Sequence, residues 1–184
     1  YREYIRETMH RLLSSDEGCC NAYGLKLDYA FTQPVGKDAK SYSGKFGVEL
    51  FLDYIALIHD CAKAAKPEAI ISASPCHPLF TNYVDHARLH DYYPDLRRCY
   101  EEFTFRREIY DIAMPGVLFD TDGSAYNTRR DTMRYMRLAP KIGIPDLYCI
   151  TEFPSLTLSD DDWESVADIW REYGELIDRT VGKE

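Results

Sequence analysis

Lys26 and Asp28 stand two residues apart near the end of Tyr23-Gly-Leu-Lys-Leu-Asp-Tyr-Ala-Phe31, a short apolar stretch that runs straight into a polar loop. In a strand, residues i and i+2 point the same way, so an ammonium and a carboxylate share one wall at the strand's C-terminal end. A carboxylate kept ionised beside an ammonium can act as a nucleophile, and the ammonium can hold a substrate hydroxyl. The plain alternative is a structural ion pair at a sheet rim. A charged pair within a strand is costly without a use, which favours chemistry.

Further acids fall at the ends of later strand candidates. Asp91 closes Arg88-Leu-His-Asp91, with Asp85 as a reserve candidate at the start of the same segment. Asp91-Tyr-Tyr-Pro-Asp95 reads equally well as a helix-entry turn. Asp120, Asp122 and Glu152 end the next two strand candidates, where each can bind a ligand or cap the following loop or helix. His77, His86, His90 and Arg88 add polar groups near the same rim. His86 and His90 would lie about 13 Å apart on a strand at about 3.3 Å per residue, too far for a metal pair.

Six cysteines (Cys19, Cys20, Cys61, Cys76, Cys99 and Cys149) form no CxxC pair and have no His at zinc-finger spacing. They read as reduced, mostly buried thiols, which leans towards a cytoplasmic setting. No cofactor or metal is expected.

The elements that must position these groups follow from periodicity. A helix is predicted over 1–14, with Ile5, Met9, Leu12 and Leu13 on one side. A strand over 24–30 follows, then a polar loop over 32–44 and a long amphipathic helix over 46–66, which Pro67 ends. A buried strand over 69–73 and a polar strand over 85–93 come next. An Arg-rich helix over 95–111 precedes a strand over 116–120. Thr128 and Asp131 have capping-box spacing ahead of a helix to 138, with Asp in place of the usual Glu or Gln. The last strand is predicted over 146–151. The closing helix starts at Ser159, with three aspartates in its first turn and Trp163, Val166, Ala167, Trp170 and Ile177 as its apolar stripe.

Such alternation implies α/β architecture with a parallel sheet and right-handed crossovers. A doubly wound open sheet and a partial (β/α)₈ barrel both fit. The absence of a Gly-rich phosphate loop and the carboxylates at strand ends favour the barrel. The 184 residues make one domain's worth of chain, 45% hydrophobic and 14% aromatic. Acids outnumber bases 31 to 22, for a net charge of −9, which argues against nucleic acid or an anionic membrane surface as partner. No apolar run reaches the roughly 18 residues needed to span a bilayer. The chain opens with Tyr1 inside an amphipathic helix, so residues 1–184 are expected to be a single-domain piece of a longer protein.

Gly24-Leu-Lys-Leu-Asp-Tyr29 resembles the fourth-strand motif of the alpha-galactosidase clan of retaining glycoside hydrolases, in which Lys-x-Asp supplies the nucleophile. The resemblance implies a TIM barrel from helix three onward, with the five strand candidates as strands four to eight, the C-terminal five-eighths of the fold. It implies a hydrolase that cleaves a terminal α-linked sugar with retention through a covalent intermediate on Asp28. Asp91, at the end of strand six, would be the acid/base. Lys26, Tyr29, Arg88, His90, Asp120, Asp122 and Glu152 would bind the oligosaccharide or glycoside. The missing N-terminal half of the barrel would be the main partner, and a chain lacking it is expected to be unstable, inactive or homo-oligomeric, because its sheet edges are unpaired.

Two other readings stand beside this one. The fold may be kept without catalysis, as a carbohydrate-binding or structural barrel. Val117-Leu-Phe-Asp-Thr-Asp-Gly-Ser124 resembles the first motif of haloacid-dehalogenase-type phosphatases, which implies Asp120 as phosphoryl acceptor, Asp122 as acid/base, and magnesium. In that family the motif normally opens the domain, whereas here only 60 residues follow Ser124. No strand-end Lys follows it.

Overall fold

A computed structural model describes residues 1–28, 36–74, 77–89, 96–121, 128–147 and 157–181. Among them the order is α1 (Arg2–Leu13), β1 (Gly24–Leu27), α2 (Gly47–Ala65), β2 (Ile70–Ala73), β3 (His86–Arg88), α3 (Leu96–Ala113), β4 (Leu118–Asp120), α4 (Arg129–Leu138) and α5 (Asp160–Val181). The strands form a four-stranded parallel sheet in the order β1-β2-β3-β4. The fold is therefore α/β. The chain divides into two compact units, residues 1–87 with 113–117, and residues 88–112 with 118–184.

In the first unit, Ile5, Met9 and Leu13 recur every four residues along α1 and are buried with Ile58, Cys61 and Ala62 of α2. Ala69 and Ile71 join the same cluster, and Leu25 and Leu27 of β1 pack on it. Ser14 ends α1: its N–H donates to the His10 carbonyl, and its hydroxyl accepts from the Asp16 N–H (3.0 Å). The predicted long helix is found as α2, one residue shorter at each end, stopping before Pro67. Leu13 is fully buried. Leu13→Ala should therefore lower unfolding free energy by about 2–5 kcal/mol, read from the urea midpoint.

β1 and β2 pair with Lys26 opposite Ser72 and Leu27 opposite Ala73, and β2 pairs β3 with Ser72 opposite His86. The predicted polar strand over 85–93 shortens to His86–Arg88 among the described residues. Asp85 lies just before it, at the end of the sheet remote from Asp28. There its carboxylate accepts the Ile71 N–H (2.8 Å) and meets the Lys63 ammonium (3.0 Å). Asp85, the reserve acid/base candidate, thus serves the start of β2.

In the second unit, two arginines fasten α3 to strand and loop carbonyls. Arg106 donates to the Leu89 carbonyl (2.8 Å) and Arg107 to that of Ile142 (2.7 Å), while the Arg107 guanidinium lies over the Phe119 ring. These side chains explain why an Arg-rich helix can pack on a sheet. β4 pairs beyond its own length through a parallel bridge between Asp120 and Ile144. Of the strand predicted over 146–151, residues 146 and 147 are not in a strand and 148–151 lie outside the described residues.

The cap expected at Thr128 is formed, and α5 carries a second one at Ser159. The Thr128 hydroxyl accepts from the Asp131 N–H (3.2 Å) and donates to its carboxylate (2.8 Å). At α5, Ser159 and Asp162 exchange bonds: the Asp162 carboxylate accepts the Ser159 N–H (2.8 Å), and the Ser159 hydroxyl accepts the Asp162 N–H (3.3 Å). The Asp162 carboxylate also binds the Arg129 guanidinium (2.8 Å). The stripe of α5 needs correction. Val166 is buried, but Trp163 and Trp170 are 42% and 45% exposed and Ala167 is exposed. The inward row runs through Asp162, Val166, Ile169, Tyr173 and Ile177; from it the Asp162 carboxylate, itself buried, reaches the exposed Arg129 side chain. Trp170 sits beside that row, its indole N–H on the Pro145 carbonyl (2.8 Å).

The hydrogen bond from Arg129, followed by those from Ser159, holds the Asp162 carboxyl well below the usual carboxylate range. A carboxylate whose value is depressed on folding stabilises above its unfolded value of about 3.9 and stops doing so as pH falls through its folded value. The urea midpoint of the wild type should therefore fall steadily from about pH 4 downward. An Asp162→Asn variant, weaker at neutral pH, should show a flatter acid limb, and identical limbs would exclude the role of this pair.

Candidate functional site

β1 alternates as its sequence requires. Leu25 and Leu27 face the helical core, while Lys26 and Asp28 are exposed on the alternate side. The register extends this polar side across the first unit. Lys26 neighbours Ser72, and Ser72 neighbours His86, so an ammonium, a hydroxyl and an imidazole lie on adjacent strands about 4.8 Å apart. One step on from Lys26, beside Asp28, Ser74 donates both its N–H (3.3 Å) and its hydroxyl (3.2 Å) to the Leu27 carbonyl. Its two bonds fix the turn at which β1 gives way to the loop carrying Asp28.

Ser72 and Ser74 were not among the residues marked from sequence. Their signal was the same period of two that marked Lys26 and Asp28: Ile71 and Ala73 fill the core face of Ile70-Ile71-Ser72-Ala73-Ser74. Lys26 and Asp28 are the exposed members of this row and can meet a hydroxylated ligand through an ammonium and a carboxylate, while Ser72 and Ser74 are buried, at 5% and 1% exposure.

In the second unit, the Leu89 N–H donates to the Asp120 carbonyl (3.0 Å). In a parallel ladder this bond sets Arg88 alongside Asp120. Both are buried, at 3% and 4% exposure, so two of the sequence candidates are cross-strand neighbours of opposite charge. Thr121, fully buried, follows Asp120; its N–H donates to the Ile144 carbonyl (3.0 Å), and its hydroxyl bonds that of Tyr135. The end of β4 is thus clamped on both sides, which holds Asp120 rigidly.

Tyr29, His90, Asp91, Asp122 and Glu152 lie outside the described residues, as does the glycine-containing part of the phosphatase-like motif. Among the described residues no three His, Cys, Asp or Glu side chains gather closely enough to hold a metal ion. A separate cavity of about 390 Å³ in the first unit is lined by Tyr1, Arg2, Tyr42, Asp53 and Tyr54, and excludes Lys26 and Asp28. Burial, and then the neighbouring Tyr1, pushes the Tyr54 hydroxyl above its ordinary value. No helix among the described residues is long and apolar enough to cross a membrane. No protein-family model, curated protein or solved structure matches the chain, so the strand ends and their registers carry the functional argument.

Proposed function

We propose that this chain is the C-terminal part of a (β/α)₈ glycoside hydrolase that cleaves a terminal α-linked sugar with retention. The observation that carries the reading is the polar side of β1. Lys26 and Asp28 stand at the C-terminal end of a parallel strand, opposite the face that packs on α1 and α2. Parallel strands in unbroken sequential order also support a barrel, since a doubly wound sheet reverses its order at a switch point. β1 is an edge of the described sheet, where an earlier strand of a closed barrel would pair.

In this mechanism the Asp28 carboxylate attacks the anomeric carbon as the glycosidic oxygen departs with a proton from the acid/base, for which Asp91 is the candidate. A covalent glycosyl-aspartate forms. Water, deprotonated by the same acid/base, then attacks the anomeric carbon from the opposite face and releases Asp28. Retention requires the two carboxyl groups to stand about 5–5.5 Å apart. Lys26 would hold a sugar hydroxyl and the charge of Asp28.

The test is release of nitrophenol from a panel of aryl α- and β-glycosides by the complete protein that carries the upstream strands. Turnover confined to an α-glycoside, with the first-formed sugar in the α configuration, is expected. A well-folded protein that turns over none of them but binds sugars would instead be a carbohydrate-binding barrel. Magnesium-dependent phosphate release that disappears in Asp120→Asn would replace this reading by the phosphatase one.

A further inference from the structure

Near the opposite end of β1, where α1 turns back towards it, three side chains that the proposed reaction does not use line up. The Cys19 sulfur lies 3.8 Å from Nδ1 of His10, and Nε2 of the same ring lies 3.0 Å from the Asp16 carboxylate. The loop that carries them is tightly fastened: the Cys19 N–H donates to the Asp16 carbonyl (3.0 Å), the Cys20 N–H to that of Arg11 (2.9 Å) and the Ala22 N–H to that of Leu12 (2.9 Å). Leu13, fully buried, anchors the end of the helix within this loop. These backbone bonds fix the Cα positions from which the exposed His10 and Asp16 side chains and the half-buried Cys19 meet.

The arrangement has a direction. The Asp16 carboxylate accepts a hydrogen bond from an Nε2–H, and the tautomer this selects leaves Nδ1 bare and turned towards the Cys19 thiol. A nucleophile, a base within reach of it, and a third group that orients the base make up the usual arrangement of an activated nucleophile.

We propose that Cys19 is a reactive thiol, activated by His10 and oriented by Asp16, that takes up low-molecular-weight disulfides by exchange. The thiol proton passes to His10 Nδ1, and the thiolate attacks one sulfur of the disulfide. A Cys19–sulfur bond forms as the small disulfide's own S–S bond breaks, and the departing thiolate recovers the proton from His10. Cys20 is not the acceptor. Adjacent Cα atoms lie about 3.8 Å apart, short of the roughly 4.4–6.8 Å that a disulfide spans.

The experiment exposes the whole chain to glutathione disulfide and follows each mixed disulfide by peptide fragmentation in a mass spectrometer. Cys19 in a Cys20→Ser variant should react about three- to tenfold faster than Cys20 in a Cys19→Ser variant. Exposure alone predicts the reverse order, since Cys20 is the more exposed of the two. His10→Ala should remove the advantage, and added imidazole should restore part of it, which a purely structural role would not allow. Asp16→Asn, a change at an exposed carboxylate, should slow Cys19 with α1 intact by circular dichroism. Equal rates at the two cysteines would overturn the proposal, as would an undiminished Cys19 rate in both His10→Ala and Asp16→Asn.

Discussion

Asp28→Asn in the complete protein is expected to lower aryl α-glycoside turnover by about 10⁴-fold or more, the scale on which a lost covalent nucleophile is felt. The urea midpoint should stay essentially unchanged, because Asp28 is exposed and lies beyond the last residue of β1. Asp28→Ala adds a sharper test. Removing the carboxylate opens space beside the anomeric carbon, and azide can enter it. Azide should restore turnover and yield a glycosyl azide of inverted configuration, since one displacement replaces two. Full activity in folded Asp28→Asn would end the assignment. Lost activity that azide does not restore would make Asp28 a binding or positioning residue instead of the nucleophile.

The part of this argument that sequence carries is local. The alternation in Leu25, Lys26, Leu27 and Asp28 needs only the strand period, and exposure follows it residue by residue. The caps at Thr128 and Ser159 are equally local, because each is satisfied within its own helix's first turn. The readings that changed depend on partners far along the chain. Asp85 looked available because its partners, the Ile71 N–H and Lys63, are 14 and 22 residues away. The α5 stripe was misplaced because Asp162, a charged residue, is buried and meets Arg129, 33 residues earlier. Apolar periodicity assigns such a residue to solvent. The pairing of Arg88 with Asp120 belongs to the same class: each was marked singly, and only the ladder makes them neighbours. Asp91, which the hydrolase reading needs most after Asp28, rests on its sequence position alone.

Gly24→Ala should disturb the candidate site more than its size suggests. A Cβ at position 24 would lie 2.2 Å from the Ile70 carbonyl oxygen and 2.9 Å from its carbon. Both atoms are backbone, so no side chain can swing away and β1 itself must move from β2. Overpacking of this kind costs about 1–3 kcal/mol, occasionally more. The Ile70 N–H bond to the Tyr23 carbonyl (3.1 Å) is strained with it, which adds about 1 kcal/mol. The displacement has a functional consequence because Lys26 rides on the same four-residue strand, Asp28 directly follows it, and both keep their places through its register with Ser72 and Ala73. Gly24→Ala in the complete protein is thus expected to lower the urea midpoint clearly and to reduce glycoside turnover more than tenfold. Gly36→Ala, where an added Cβ meets nothing within 4 Å, should change neither. Gly143→Ala supplies the matching test in the second unit, since its Cβ would lie 2.2 Å from the Phe119 carbonyl oxygen. If Gly24→Ala proved as stable and active as Gly36→Ala, the close approach of β1 to β2 would not be what holds Lys26 and Asp28 in register.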